Sequence, residues 1–243
     1  MRRAPLRGLD LGVYPRAVVL LARNPSIIVV PFLMSVIGIL IGRVMSPFGG
    51  GMMMQLTGGI AGLILLLLQF FGLGAACTIA DDAWRRGNAS FDRGWNEARM
   101  RGGDILLAAI GITLLLTVGQ YVSVLIGPVG NIVTALIAYG LVWTIPAAAV
   151  GGIPGGAAIE ASIDRVRGAP LPAAIVTVVT IVLAFIGAPL VAQLVAQALL
   201  PATHGLVIVY ELLAALIQSI AFGYAALVLT KTYTDAAFSS PRW

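Results

Sequence analysis

Long uncharged apolar stretches alternate along the chain with short basic ones, and the apolar lengths match what a bilayer demands. A helix crossing roughly 30 Å of hydrocarbon at 1.5 Å rise per residue needs about 20 apolar residues. Ser26 to Gly42 carries no charge and closes at Arg43, which predicts a first span over 26–43. Val44 to Ala80 is again uncharged, and Pro47 with Gly49-Gly50-Gly51 marks a turn, so a second span covers 56–80. Ile105 to Ile159 is too long for one crossing; Gly127-Pro128-Val129-Gly130-Asn131 divides it into spans over 105–126 and 131–150. Leu171 to Leu200 supplies a fifth over 171–200, with a kink expected at Pro189, which lacks a backbone donor. Beyond Pro201 to Gly205 a sixth runs over 206–230, with Glu211 near its start. The predicted fold is an all-α polytopic membrane helix bundle of six spans. It forms a single membrane domain, 1–243, with an interfacial arm at 1–25 and a tail at 231–243.

Composition agrees: 59% of the 243 residues are hydrophobic and 10% charged, against about 25% charged in soluble domains. The net charge is +5 and the pI about 9.9. These basic residues lie between apolar runs, so they point to membrane orientation and anionic headgroups, and no nucleic-acid partner is expected. Of the 15 Lys and Arg residues, only Arg43 falls on one side of the predicted bundle. The others occupy the arm, the loops after spans two and four, and the tail, which predicts that both termini are cytoplasmic. The run from Ser26 reads as a retained helix, because no short apolar stretch with a small-residue cleavage site follows the basic start.

Each basic segment before an outward-going span shares a layout. Tyr14 to Arg23 precedes Asn24-Pro25, Phe91 to Arg101 precedes Gly102-Gly103, and Ile159 to Arg167 precedes Gly168-Ala169-Pro170. Phe91 and Trp95 are four apart, and Ile159, Ile163 and Val166 share a helical face. These spacings suit helices lying in the headgroup plane, with Arg16, Arg23, Arg99, Arg101, Arg165 and Arg167 toward lipid phosphate. Three related units around a pseudo-axis is one reading; basic loops common to any such topology is the other.

The stretch Leu20-Leu21-Ala22-Arg23-Asn24-Pro25-Ser26-Ile27-Ile28-Val29-Val30-Pro31, with Phe91 to Gly103 and Ile145-Pro146 to Arg167-Gly168, resembles a loose group of prokaryotic six-helix membrane proteins of unknown function. That group is similar to the membrane portion fused to some glycerophosphodiester phosphodiesterases. The resemblance implies a prokaryotic plasma membrane and this topology. It transfers no catalytic residue, because the chemistry of those fusions lies in a soluble domain.

Candidate chemistry is sparse. His204 is the single histidine and Cys77 the single cysteine, so no histidine or thiolate metal site and no intramolecular disulfide is expected. Asp81 and Asp82 form the best carboxylate pair, with solvated acids offset by Arg85 and Arg86 the stronger reading. Gly151-Gly152-Ile153-Pro154-Gly155-Gly156 lacks a phosphate-loop lysine; together with Pro146 it reads as a hinge at the inner end of span four. Glu211 is costly inside a span and needs a partner; Arg43 is the opposite charge on that side, which predicts an ion pair between first and last spans. Gln55, Gln120, Gln193 and Gln197 near that level could line a polar cavity or form subunit contacts. Gly38/Gly42, Gly58/Gly62 and the run Ala221, Gly223, Ala225 provide small-residue faces for close helix approach. The sequence therefore favours a non-catalytic accessory or scaffold subunit without cofactor, partnered by lipid and other membrane subunits, with a small-molecule transporter or channel as the alternative.

Overall fold

A computed structural model describes residues 10–45, 52–199 and 207–239. Among them the regular structure is helical: α1 (Val13–Arg23), α2 (Ser26–Met45), α3 (Met52–Arg86), α4 (Phe91–Met100), α5 (Gly102–Ile126), α6 (Pro128–Gly140), α7 (Thr144–Ala149), α8 (Gly155–Gly168), α9 (Pro170–Ile181), a π-helical turn (Val182–Gly187), α10 (Ala188–Leu199) and α11 (Val207–Ser239). Among the described residues six segments are long and apolar enough to cross a bilayer: Ser26–Val44, Gly62–Arg86, Gly102–Ile126, Val129–Ala149, Pro170–Val195 and Val207–Ala236. The chain is thus a multi-pass, all-α membrane protein. The second and last spans continue past their expected ends because the charges there are paired within the helix. Asp81 with Arg85 and Asp82 with Arg86 stand one turn apart on α3, as do Lys231 and Asp235 on α11.

Two spans are irregular, and each irregularity is satisfied by a side chain from another helix, as a dry environment requires. Span four breaks at Leu141–Trp143 between α6 and α7. There the Ser162 hydroxyl of α8 donates to Gly140 O (2.8 Å) and accepts from Trp143 N–H (3.1 Å). The Trp143 indole, fully buried, donates to Thr232 Oγ1 of α11 at 3.1 Å. In span five the irregularity expected at Pro189 takes the form of the π turn just before it. Ala188 N–H bonds Leu183 O, five residues back, so in this register Ala184 O would look to the N–H of residue 189, which proline lacks. Gln218 Nε2 of α11 donates to that carbonyl instead, at 2.8 Å.

The short helices α1, α4 and α8 pack in one cyclic pattern. α4 seats on α3, α8 on α7 and also on α5, and α1 closes the ring on α11, so each touches the last span of the hairpin before it. The face each buries is mostly small residues: Ala17 beside Val13 on α1, Gly94 and Ala98 on α4, Gly155, Ala158 and Ser162 beside Val166 on α8. Ala17, Gly94 and Ser162 each stand seven residues before the residue that ends their helix, namely Asn24, Arg101 and Ala169. On α1 Val13 is buried beside Ala17 whereas Val18 and Val19 are exposed, so the buried stripe faces protein rather than lipid. In the second unit the turn falls at Arg101, and Gly102-Gly103 begins α5. Asn24 is nearly fully buried: its amide donates to Leu20 O (2.9 Å) and Gly87 O (3.4 Å) and accepts from Ala89 N–H (2.6 Å), joining the first turn to the α3–α4 loop.

Small residues carry the span contacts as well, which substitutes close backbone approach for a hydrophobic driving force. Gly38 stands against Leu65 of α3, and Gly223 against Leu21, Ile27 and Ile28. Gly42 and Gly62 face open space, so the expected Gly38/Gly42 stripe is used at one position only.

Candidate functional site

A crevice of about 460 Å³ lies in the arginine-poor half of the bundle, between α2 and α3 on one side and the π turn and α10 on the other, with α11 behind. Its polar lining comes from Ser35, Gln69, Tyr210, Glu211 and Gln218, set among alanines and leucine. Counting along straight helices at 1.5 Å per residue, Ser35 stands about 13 Å above Ser26, Gln69 about 18 Å above Asp81, and Gln218 about 20 Å above Lys231. The lining thus descends to about the middle of a 30 Å hydrocarbon layer. Pro189 and Ala192 let the α10 wall stand back, and Gln218 is anchored by its bond to Ala184 O. Below these residues the core is closed, since Cys77, Ile79, Ala80, Leu227 and Val228 have no exposed surface.

The rim carries the charges. Arg43 Nη2 and Nε donate to Glu211 Oε2 at 2.7 and 2.9 Å, joining α2 to α11 across 168 residues of sequence. With side chains 45% and 27% exposed, the pair keeps enough water to be worth about 1 kcal/mol rather than the value of a buried pair. Arg43→Glu is expected to lower stability in detergent by about that amount or slightly more, through like-charge contact. Combining it with Glu211→Arg should restore most of the loss. Equal stability of all four proteins in thermal unfolding would mean the contact does nothing.

The glutamines singled out by sequence lie elsewhere. Gln120, Gln193 and Gln197 are exposed on the outside of the bundle and do not line the crevice; the side chain of Gln55 and all of His204 lie outside the described residues. Gln69 and Gln218, which do line it, were missed. Their signal was depth: each sits well inside an apolar run, whereas Gln193 and Gln120 sit near span ends, where an amide meets headgroups at little cost.

The arginine-rich end holds an ionic network rather than open acids. Asp82, mostly buried, accepts from Ser90 N–H (2.9 Å) and Arg93 Nη1 (2.8 Å), with Arg86 Nε at 3.2 Å. Asp81 pairs with Arg85 at 2.8 Å. The expectation of solvated acids fails for Asp82 because α4 folds over it. Among the described residues no group of three or more His, Cys, Asp and Glu is placed to hold a metal.

The six arginines expected at headgroups divide. Arg16, Arg23, Arg99 and Arg167 are exposed. Arg101 turns inward, donating to Ala149 O and Val150 O at 2.8 and 2.9 Å and pairing with Glu97, so it caps the carbonyl end of α7. Arg165 stacks over the Tyr233 ring with its guanidinium carbon 3.6 Å from the centroid, and burial lowers its pKa from the ordinary arginine value. Both point inward because the small faces of α4 and α8 bring them against α7 and α11.

The glycine-proline segment read as a hinge is held from both sides. Pro146 is buried within α7, Gly151 abuts the Tyr233 hydroxyl, and Pro154 leads into α8 at Gly155. Gly152 has φ +64, a left-handed conformation that glycine adopts freely, and faces the Arg101 guanidinium. A Cβ on Gly155 would meet Asp104 O at 2.7 Å, so this glycine serves close contact between α8 and α5.

Comparison with protein-family models, with curated proteins and with solved structures gives no match for this chain.

Proposed function

We propose that this protein is a non-catalytic membrane protein that takes a small uncharged solute into the crevice from the outer side, as one half of an alternating-access pathway. Its setting is a prokaryotic plasma membrane with both termini cytoplasmic, the orientation favoured by basic residues crowding one end. The observation that carries the reading is the crevice chemistry. Amide and hydroxyl groups reach about mid-bilayer depth, while the charged lining residue, Glu211, is neutralised by Arg43 at the rim. Neutral hydrogen-bonding groups in an apolar wall favour a neutral hydrogen-bonding guest, because an ion would find no unpaired countercharge there. The closed core beneath and the broken spans four and five are features of carriers that open one side at a time.

Cysteine accessibility tests the reading directly. In a Cys77→Ala background, Ser35→Cys and Gln69→Cys are expected to react with a membrane-impermeant, charged thiol reagent added outside intact cells, whereas Leu227→Cys stays unreactive. Reaction at a rim variant, Tyr210→Cys, without reaction at the two deeper ones would mean that lipid or protein fills the crevice. Labelling only from the cytoplasmic side would reverse the orientation.

A second reading, an accessory subunit of a larger membrane assembly, is favoured by Gln193 and Gln197. They stand four apart and exposed on one face of α10, where a partner helix would supply hydrogen bonds worth about 0.6 kcal/mol each. Co-purification of a stoichiometric membrane partner, lost in a Gln193→Leu/Gln197→Leu variant, would support it.

A further inference from the structure

At the arginine-rich end, away from the crevice, α1 and the end of α3 enclose a groove of about 450 Å³. Arg16 and Arg23 stand along it seven residues apart, about 10 Å along the helix axis, with Val19 and Leu20 between them. The opposite wall is Ala83 and Trp84, ending at Gly87. The indole is fixed, since Trp84 Nε1 donates to Leu227 O at 3.0 Å. Gly87, at φ +78, turns the chain away and leaves the mouth open. No acid among the described residues lines the groove. Among the described residues Arg23 has no carboxylate partner, and the contact of Arg16 with Asp10 is long, 3.5 Å, between two well-exposed side chains. Arg85, Arg86 and Arg93 by contrast are committed to Asp81 and Asp82, Arg101 and Arg165 are turned inward, and the exposed Arg99 and Arg167 lie outside this groove.

We propose that this groove is a specific binding site for one anionic phospholipid, its phosphate held by Arg16 and Arg23 and its upper acyl chain laid along Val19, Leu20 and Trp84. The guanidinium of Arg23, with that of Arg16 held only by its long, exposed contact with Asp10, defines the charge of the ligand, and guanidinium matches phosphate oxygens in bidentate geometry. The exposed valine and the indole between and opposite the arginines define the rest. A free anion would gain nothing from them, whereas a lipid meets both at once at the headgroup level, where tryptophan is favoured. The site would fasten α1 to α3, a pairing that the protein itself makes mainly through Asn24.

Native mass spectrometry of the detergent-purified full chain, titrated with phosphatidylglycerol or phosphatidylcholine, tests this. The wild type is expected to retain one phosphatidylglycerol in preference to phosphatidylcholine. Arg16→Gln and Arg23→Gln should each weaken retention about fivefold, and the double variant about 25-fold. Val19→Glu, which leaves both arginines and the fold in place, should weaken it similarly by putting an acid in the groove. Arg99→Gln and Arg167→Gln, exposed arginines outside the groove, should leave it unchanged. Equal retention of the two lipids, equal loss in the Arg99 and Arg167 variants, or an unaffected double variant would overturn the site. Competition by glycerol phosphate at the lipid's own concentration would make it a soluble-anion site and overturn it as well.

Discussion

Replacing Asp82 by alanine is expected to lower stability by about 2–3 kcal/mol, the scale of hydrogen bonds made to a charged group. One carboxylate at the end of α3 receives the amide of Ser90, the guanidinium of Arg93 and that of Arg86, and so holds the start of α4 against α3. Deleting one member of a fully buried ion pair costs about 3–5 kcal/mol, because the abandoned charge has nowhere to go. Here Arg93 and Arg86 are about half exposed and can turn to water or phosphate, which sets the lower figure. The Ser90 amide cannot turn, so a loss remains. Asp82→Asn retains one acceptor and should fall between alanine and wild type. Thermal and denaturant unfolding in a fixed detergent measures all three; an alanine variant within about 0.5 kcal/mol of wild type, the ordinary surface scatter, would show that the network is incidental.

Gly94→Val is expected to be at least as costly, about 3 kcal/mol, the upper part of the range for overpacking. A Cβ on Gly94 would stand 2.9 Å from Ile79 Cα and 3.1 Å from its amide nitrogen, both backbone atoms that no rotamer change can move. The helix α4 would have to lift from α3, breaking the bond from Thr78 Oγ1 to Gly94 O (2.9 Å) and tilting Arg93 away from Asp82. The two substitutions therefore act on one contact, and their costs should combine to less than their sum. Gly156→Ala is the control: nothing lies within 4 Å of its added methyl, and in a helix the change should be neutral or stabilising by about 0.5–1 kcal/mol. If Gly94→Val unfolds like the control, the small-residue seat of α4 is not what holds it.

The hydropathy pattern contained the six crossings, because an uncharged run of the right length admits no other solvent than lipid. It also contained the contact of Arg43 with Glu211, since two opposite charges at one apolar level are each other's least costly partner. Only the tertiary structure decided which polar groups meet in a crevice: whether Gln69 faces inward and Gln193 outward depends on helix rotation, and spans this uniformly apolar have no polar face to set it. The same holds at the basic end. Arg16 and Arg101 look alike in sequence, yet one borders a groove and the other caps α7, because the direction of a side chain there is set by where Ala17, Gly94 and Ser162 let a neighbouring backbone approach. Composition and spacing act one segment at a time, whereas those approaches join residues from spans far apart along the chain.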